Sequence, residues 1–457
     1  MKAALLALIC MLASVAAAQT ICPTTQRSSK LICQIPQIYG PGGLTLPNPF
    51  HSAHFESDFE SSFTPLNAAI GTQLTSLPIA SPASGFTFSF DPTLGVFTRS
   101  TESYGPILTE RAETIGRHKL FVAFTFQHFG FSSLDGIDMN HLPAVYTHID
   151  CCNPTGSPRK PGDPPSPGSP TFEREFIVTD NRLDLKVNQY TFFATFGLTS
   201  RIDVSVAIPV MEVNFNVTSN AQIVRKAPPN PKFGFAHYFN PACTGNIPCE
   251  AASTQKTFFD SGSATGIGDV VFRVKGTVWR GERFHVAVGT DVRVPSGDES
   301  NFLGSGAPGV KPFIAASIPA RISPHVNLGV LVNGNSILAG NIATNSEGRL
   351  PTEFLYSGGV DFGAFKRVTL AADFLGQHVF DSPLATTGPY TDILGQVHSD
   401  IRTTTIGKGS FELADLALGA KVSPTRHLLL SANILIKLND GGLRSKVVPL
   451  VGASYTF

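Results

Sequence analysis

Residues 267–294 read IGDVVFRVKGTVWRGERFHVAVGTDVRV, and this stretch decides the fold. Val270, Phe272, Val274 and Val278 share one face, while Asp269, Arg273, Lys275 and Thr277 occupy the other. After a short link from Arg280 to Arg283 the pattern restarts, with Phe284, Val286, Val288, Val292 and Val294 opposing His285, Asp291 and Arg293. A period of two is the signature of a β-strand whose two faces meet different environments. The stretch therefore predicts two strands joined by a tight connection.

The same alternation extends in both directions. It predicts twelve strands, at about 119–129, 183–196, 201–217, 267–279, 284–294, 310–319, 325–334, 353–362, 367–377, 411–422, 427–438 and 446–457. Asp203, Lys311, Asp361, Arg367, Asp373, Asp415, Lys421 and Lys437 fall on the polar faces. The segments 183–196 and 201–217 each change parity once, which predicts β-bulges near Asn188 and Pro209. Links between strands alternate in length. Short ones fall at 197–200, 280–283, 320–324, 363–366 and 423–426, with long ones between them. Short periplasmic turns, long extracellular loops and an even strand number are the pattern of bacterial outer-membrane barrels. The predicted fold class is all-β, an antiparallel transmembrane barrel of twelve strands over 118–457, with both termini on the periplasmic side.

Composition agrees with an all-β chain. There are 42 Gly and 34 Pro among 457 residues, both unfavourable inside helices, and 35 Phe, which suits pleated surfaces. Lys+Arg and Asp+Glu balance at 34 each, so the basic excess of a nucleic-acid binder is missing. Residues 1–18 read as a signal peptide: Lys2, an apolar run from Ala3 to Val15, and small residues Ala16 to Ala18. Beyond it no run reaches the ~20 apolar residues of a membrane-spanning helix. The chain ends with Val447, Val451, Ala453, Tyr455 and Phe457 on one face. A terminal aromatic on the lipid register is the expected insertion signal, with Tyr455 and Phe457 read by barrel-assembly machinery in the outer-membrane lipid.

Residues 19–117 lack the alternation. They predict a hatch in the lumen or a periplasmic arm, with a short hairpin at 86–99; two further wall strands, making fourteen, are the third reading. The six cysteines left after the signal peptide predict disulfides, Cys22 with Cys33 and Cys243 with Cys249, leaving Cys151 and Cys152 unassigned. His51, His54, Glu56 and Asp58 have ligand-like spacing, but a surface cluster is the expected reading, and no metal or cofactor is assigned. Gly266-Ile267-Gly268-Asp269 precedes a strand instead of a helix, so it reads as a loop-to-strand junction and not a dinucleotide site. No histidine is followed by serine two residues on, the pair carried by barrel lipid hydrolases, so no catalytic residues are assigned.

The candidate functional surface is the lumen wall: Asp203, Asp269, Arg273, Lys275, Asp291, Arg293, Lys311, Asp361, Arg367, Asp373, Asp415, Lys421 and Lys437. Inward Phe121, Phe193 and Phe313 add apolar patches. Both signs are mixed, which makes a poor ion-selectivity ring.

Five motifs carry a resemblance: TESYGPILTERAETIGRHKL (101–120), GLTSRIDVSVAIPV (197–210), GIGDVVFRVKG (266–276), TDVRVPSGDESNFLGSGAPGVKPF (290–313) and ISPHVNLGVLVNGNS (322–336). Together they resemble the outer-membrane barrel family labelled for a meta-pathway of phenol degradation. That family is similar to the transporters for long-chain fatty acids and aromatic hydrocarbons. The resemblance implies a channel for small hydrophobic or aromatic compounds. The competing readings are a secreted or surface β-rich binding protein and an outer-membrane lipid hydrolase.

Overall fold

The computed structural model describes residues 21–48, 55–56, 63–74, 77, 88–91, 96–99, 103–148, 174–228, 235–239 and 253–457, apart from positions 343, 393 and 426. Twelve wall strands form one closed antiparallel barrel: β1 (Leu120–Leu134), β2 (Phe176–Gly197), β3 (Ile202–Val224), β4 in two pieces (Gln255–Ile267 and Val270–Arg280), β5 (His285–Val294), β6 (Gly309–Ser317), β7 (Ile322–Asn333), β8 (Glu353–Phe365), β9 (Val368–Thr391), β10 (Val397–Val422), β11 (Leu428–Lys437) and β12 (Val447–Thr456). Closure comes from β12 pairing with β1, where Val451 faces Phe126 and Tyr455 faces Val122. The count is therefore twelve and not fourteen. No described helix is long and apolar enough to cross a membrane.

The alternation resolves into an outside and an inside. Phe272, Val274, Val278, Val288, Val292 and Val294 are 39–54% exposed, as are Val326, Leu328, Leu430, Ile434, Val447 and Val451 on later strands, within 42–56%. In water such a girdle would be an aggregation surface; around a closed barrel it is the lipid-facing belt of an outer-membrane protein. Trp279 and Phe284 stack near the short-turn rim, as do His427 and Tyr455, with Tyr455 also against Phe457. Tyr455 and Phe457 are 38% and 61% exposed on this outer face.

The parity changes have a different cause from the one expected. β2 pairs with both neighbours without a register shift through Asn188, and its odd positions face inward along its whole length. What changes is the filling of the barrel. Thr191 and Thr195 face in at the short-turn end, while Leu183, Leu185 and Val187 face in nearer the long loops, all 0–3% exposed. Outward positions there turn polar, with Asp184 and Lys186 paired at 3.1 Å above the lipid belt. The bulge near Pro209 exists on the opposing strand. Val210 faces Ile267 and Ala207 faces Val271, so three residues of β4 oppose two of β3. Gly268 N–H donates to Pro209 O at 2.8 Å, and Pro209 has no N–H to return. Gly266–Asp269 is thus an irregularity within a wall strand, not a loop-to-strand junction.

The apolar filling comes from the N-terminal segment. Leu31, Ile32, Ile35, Ile38 and Tyr39 form one buried cluster with Leu183, Leu185, Val213, Phe215 and Val217 of the wall. Tyr39 Oη lies 2.8 Å from Ser219 Oγ, and its ring meets Tyr146 and Phe258 edge-on. Residues 21–46 therefore sit at the long-loop end, not on the periplasmic side. The Cys22–Cys33 disulfide forms within this cap. Helix α1 (Phe63–Leu74) packs beneath it, with Leu66, Ala69 and Ile70 buried and Gly71 against Leu338. The hairpin pairs Phe88–Asp91 with Val96–Arg99. Cys151, Cys152, Cys243, Cys249, His51, His54, Asp58 and the Pro-rich stretch 161–170 lie outside the described residues.

Candidate functional site

Two segments bound the lumen. The apolar cap lies at the long-loop end, and residues 103–115 form a strap across the short-turn end. A strap without regular structure carries a full set of backbone N–H and C=O groups that need partners. Six wall strands supply them, and β5 and β8 add partners for strap side chains. At one end Ser103 Oγ donates to Asp361 of β8 and Tyr104 N–H donates to Thr369 Oγ1 of β9 at 3.0 Å. Lys421 of β10 donates to Tyr104 O at 3.2 Å and Pro106 O at 2.5 Å. On β7, His325 Nε2 lies 2.7 Å from Asp373 and 2.9 Å from Thr109 Oγ1, while Asn327 bonds both Glu110 N–H and Glu110 O at 2.7 Å.

Further along, Ser317 of β6 and Thr277 of β4 hold the N–H and O of Ala112 at 3.0 and 2.6 Å. Lys275 donates to Arg111 O and Glu113 O at 3.1 and 3.0 Å. The Glu113 carboxylate accepts from His285 at 2.8 Å and from Ser317 at 2.9 Å. Finally Asp203 of β3 accepts from Ile115 N–H at 2.9 Å. The strap is thus fastened by polar groups projecting from the lumen face, and Ile107 also packs with Phe193, Ala207 and Leu450.

Above the strap lies a cavity of about 300 Å³. Leu108 and Glu110 form its floor, and Gln73 and Leu77 line it from the cap side. Its walls have two chemistries. Leu331, Leu355, Leu375, Leu413 and Leu435, one from each of the consecutive strands β7 to β11, make an apolar side. Across from them stand Arg273, Asp291, Arg293 and Lys311 of β4 to β6, while Glu353 of β8 lies beside Leu331. Arg273 bonds Glu110 and reaches Asp291 at 2.5 and 2.7 Å, and Lys311 reaches Asp291 at 2.9 Å. Lys275 adds a bond to Glu110 at 3.1 Å. Arg293 donates to Asn333 at 2.7 Å and stands 3.6 Å from Asp269, and Gln377 donates to Glu353 at 2.8 Å. Phe313 spreads over Gly289, where a Cβ would strike its Cζ, and the Arg273 guanidinium sits 5.0 Å above the ring.

The residues assigned to the lumen from sequence separate into groups. Asp203, Lys275, Asp361, Asp373 and Lys421, each about 1% exposed, fasten the strap directly or through His325. Arg273, Asp291, Arg293, Lys311 and Asp415 line the cavity, Asp415 bonded twice by Arg444 at 2.5 and 3.1 Å. Asp269 instead anchors the loop after β5, accepting from Gly297 N–H at 3.1 Å and Ser305 N–H at 2.7 Å. Lys437 stands at the rim, 2.5 Å from Asp440 and 3.3 Å from Ser133. Arg367 is corrected: it is exposed in the turn before β9 and donates to Pro424 O at 3.2 Å, because the strand begins only at Val368. Phe193 and Phe313 line the cavity; Phe121 is buried elsewhere.

Sequence reading missed Glu110, Glu113, Glu353 and Arg444, and the five leucines. The leucines had a signal: in Val330-Leu331-Val332 both faces of the strand are apolar, so the lumen there is not uniformly polar. Among the described residues no group of His, Cys, Asp and Glu is arranged to hold a metal ion.

A family model described as "Putative MetA-pathway of phenol degradation" matches residues 160–442. No curated protein matches the sequence. Among solved structures, an outer membrane channel from Pseudomonas putida F1 is 10% identical, with 76% of this chain and 99% of that one covered, at a TM-score of 0.43. The Ralstonia pickettii toluene transporter TbuX is 9% identical over 76% and 92%, at 0.29. A Pseudomonas aeruginosa FadL homologue is 11% identical over 75% and 90%, at 0.28.

Proposed function

This chain belongs to the family described as the MetA-pathway of phenol degradation, and on that premise we propose that it is an outer-membrane channel for small hydrophobic or aromatic compounds, closed here by its own N-terminal segment. The observation that carries the reading is the half-apolar cavity held between cap and strap. A purely structural barrel has no need of a chamber inside a lumen otherwise filled by residues 21–46 and 103–115. A general porin would keep an open aqueous path. Cargo in this reading enters from the long-loop end, dwells beside the leucines and leaves when the strap moves.

The strap is the part to perturb. Deleting residues 19–117 would also uncover Leu183, Leu185, Val213 and Phe215, so a deletion confounds opening with loss of the core. Glu113→Gln combined with Lys421→Met instead weakens the strap's fastenings to β5, β6 and β10 and leaves the cap intact. In planar bilayers the wild type should show low conductance, and the double variant should raise both conductance and uptake of a hydrophobic probe. A large open conductance in the wild type, or no conductance and no uptake in either form, refutes the channel reading. Insertion is assigned to Tyr455 and Phe457, with barrel-assembly machinery as partner.

A further inference from the structure

We propose that the cavity is a binding site for a small amphipathic acid, with its carboxylate at Lys311 and its apolar body against the leucines of β7 to β11. The proposal rests on the channel reading above and narrows the cargo from hydrophobic compounds in general to those bearing one anionic group.

What selects the ligand is which polar groups of the wall have valence left for it. Formal charge does not choose a sign: Arg273, Lys275, Arg293 and Lys311 face Glu110, Asp269, Asp291 and Glu353. Availability does. The Asp291 carboxylate accepts two bonds from Arg273 and one from Lys311, and Glu110 accepts from both Arg273 and Lys275. Glu353 accepts from Gln377 and is 3% exposed, and Asp269 is taken by the loop at Gly297 and Ser305. Across the cavity, Asp415 is held by Arg444. The carboxylates of this wall are committed to wall groups.

Lys311 is different. Its side chain is 28% exposed, against 12% for Arg273, 9% for Arg293 and 1% for Lys275. An ammonium has three N–H donors, and the partner of Lys311 is the Asp291 carboxylate, which it shares with Arg273. A ligand entering this space therefore meets a cation offering donors, and no carboxylate of equal exposure on the same side. A ligand cation would find its counter-charges already bonded. A neutral apolar ligand would bury its body against the leucines and leave the Lys311 donors without a new acceptor. A carboxylate satisfies them with charge-assisted hydrogen bonds, which are stronger than neutral ones. The volume, about 300 Å³, is at the lower end of ligand pockets, which suits one ring or a short chain.

The probe is benzoate, with benzyl alcohol as the neutral and benzylamine as the cationic comparison. Equilibrium dialysis of each labelled compound against the folded full-length barrel in detergent micelles, corrected for micelles alone, gives the affinities. Benzoate should bind at least about tenfold more tightly than either comparator, the size of one charge-assisted bond. Lys311→Gln should remove that preference while leaving benzyl alcohol unchanged, and Lys311→Arg should restore it. Folding of each variant is checked by heat-modifiable gel mobility, and the arginine variant keeps the test valid if the glutamine one misfolds. Equal binding of all three probes, or a Lys311→Gln effect of the same size on benzyl alcohol, overturns the site. The two readings fail separately. Benzoate binding without any uptake sinks the channel and keeps the site, whereas uptake of toluene without benzoate binding keeps the channel and sinks the site.

Discussion

An arginine on the lipid side of β5 should be far more costly than one facing the lumen, and the structure fixes which positions make the comparison fair. The eleven residues from Phe284 to Val294 rise roughly 25–28 Å at a tilt of about 40°, close to the ~25 Å height of an outer-membrane apolar band. Val288, 45% exposed on the outer face, therefore lies near the midplane. Val288→Arg should cost about 2–4 kcal/mol, or roughly 30- to 900-fold in the folding equilibrium constant. The neighbouring inward position is a poor control, because any side chain at Gly289 strikes the Phe313 ring. Ser357 is better: it faces the cavity and its hydroxyl makes one bond, to Asn327 at 3.2 Å. Ser357→Arg should lose that bond and little else, under about 1.5 kcal/mol. Reversible urea-driven folding into phosphatidylcholine vesicles measures both. Equal costs at the two positions, or a larger cost at Ser357, would refute the assignment of faces and with it the membrane barrel.

Leu185→Ala should destabilise the barrel by about 2–5 kcal/mol, since Leu185 is fully buried against the cap, whereas Asp184→Ala on the outer face at the same height should change stability by less than about 0.5 kcal/mol. The reverse order in the same folding assay would restore a bulge near Asn188. At the cap's edge, burial raises the Asp298 carboxyl, but the hydrogen bond and charge of Lys30 at 2.8 Å outweigh it and hold the group below the usual carboxylate range. A lowered folded value means the contribution is present above a pH of about 4 and is lost as pH falls through that lower value. Both partners are 39–40% exposed, so the stability gap between wild type and Asp298→Asn should be under about 1 kcal/mol at neutral pH, shrink in salt and vanish once pH has fallen below that lowered value. A gap that widens on acidification contradicts the pairing.

The wall was legible in the sequence because lipid imposes a period of two on every strand it touches. Val270 to Val278 and Phe284 to Val294 needed no tertiary information to be sorted into faces. The filling of the barrel was not legible, because an inward position reports only what the interior happens to contain. Leu185 and Phe215 break the polar-in pattern since they meet Ile35 and its neighbours, and a single strand read alone turns that into an apparent bulge. The strap escaped for the opposite reason. Glu110 and Glu113 sit in a segment with no periodicity, and their partners Arg273, Lys275 and His285 lie more than 160 residues away. Arg367 was misplaced by one position, at a strand end where alternation has no neighbour to correct it.

The two closures of the lumen differ in what it takes to undo them, and that difference orders the cycle. Withdrawing the cap would expose Leu31, Ile32, Ile35 and Ile38 together with the wall residues they cover, a loss of apolar burial on the order of 1.5–3 kcal/mol for each large side chain. Withdrawing the strap exposes fewer apolar groups, chiefly Tyr104, Ile107, Ala112 and Ile115. Its fastenings are hydrogen bonds to Asp203, Lys275, Asn327, Ser317 and Lys421, which water replaces at a net cost of about 1 kcal/mol each when both partners become solvated. In the proposed channel this makes the strap at the short-turn end the closure expected to yield first, with the cap staying at the entrance. Cargo bound as proposed beside Lys311 would share the cavity with Leu108 and Glu110 of the strap, and Glu110 is bonded to Arg273 on the same wall as Lys311, so movement of the strap would open the floor beneath the cargo.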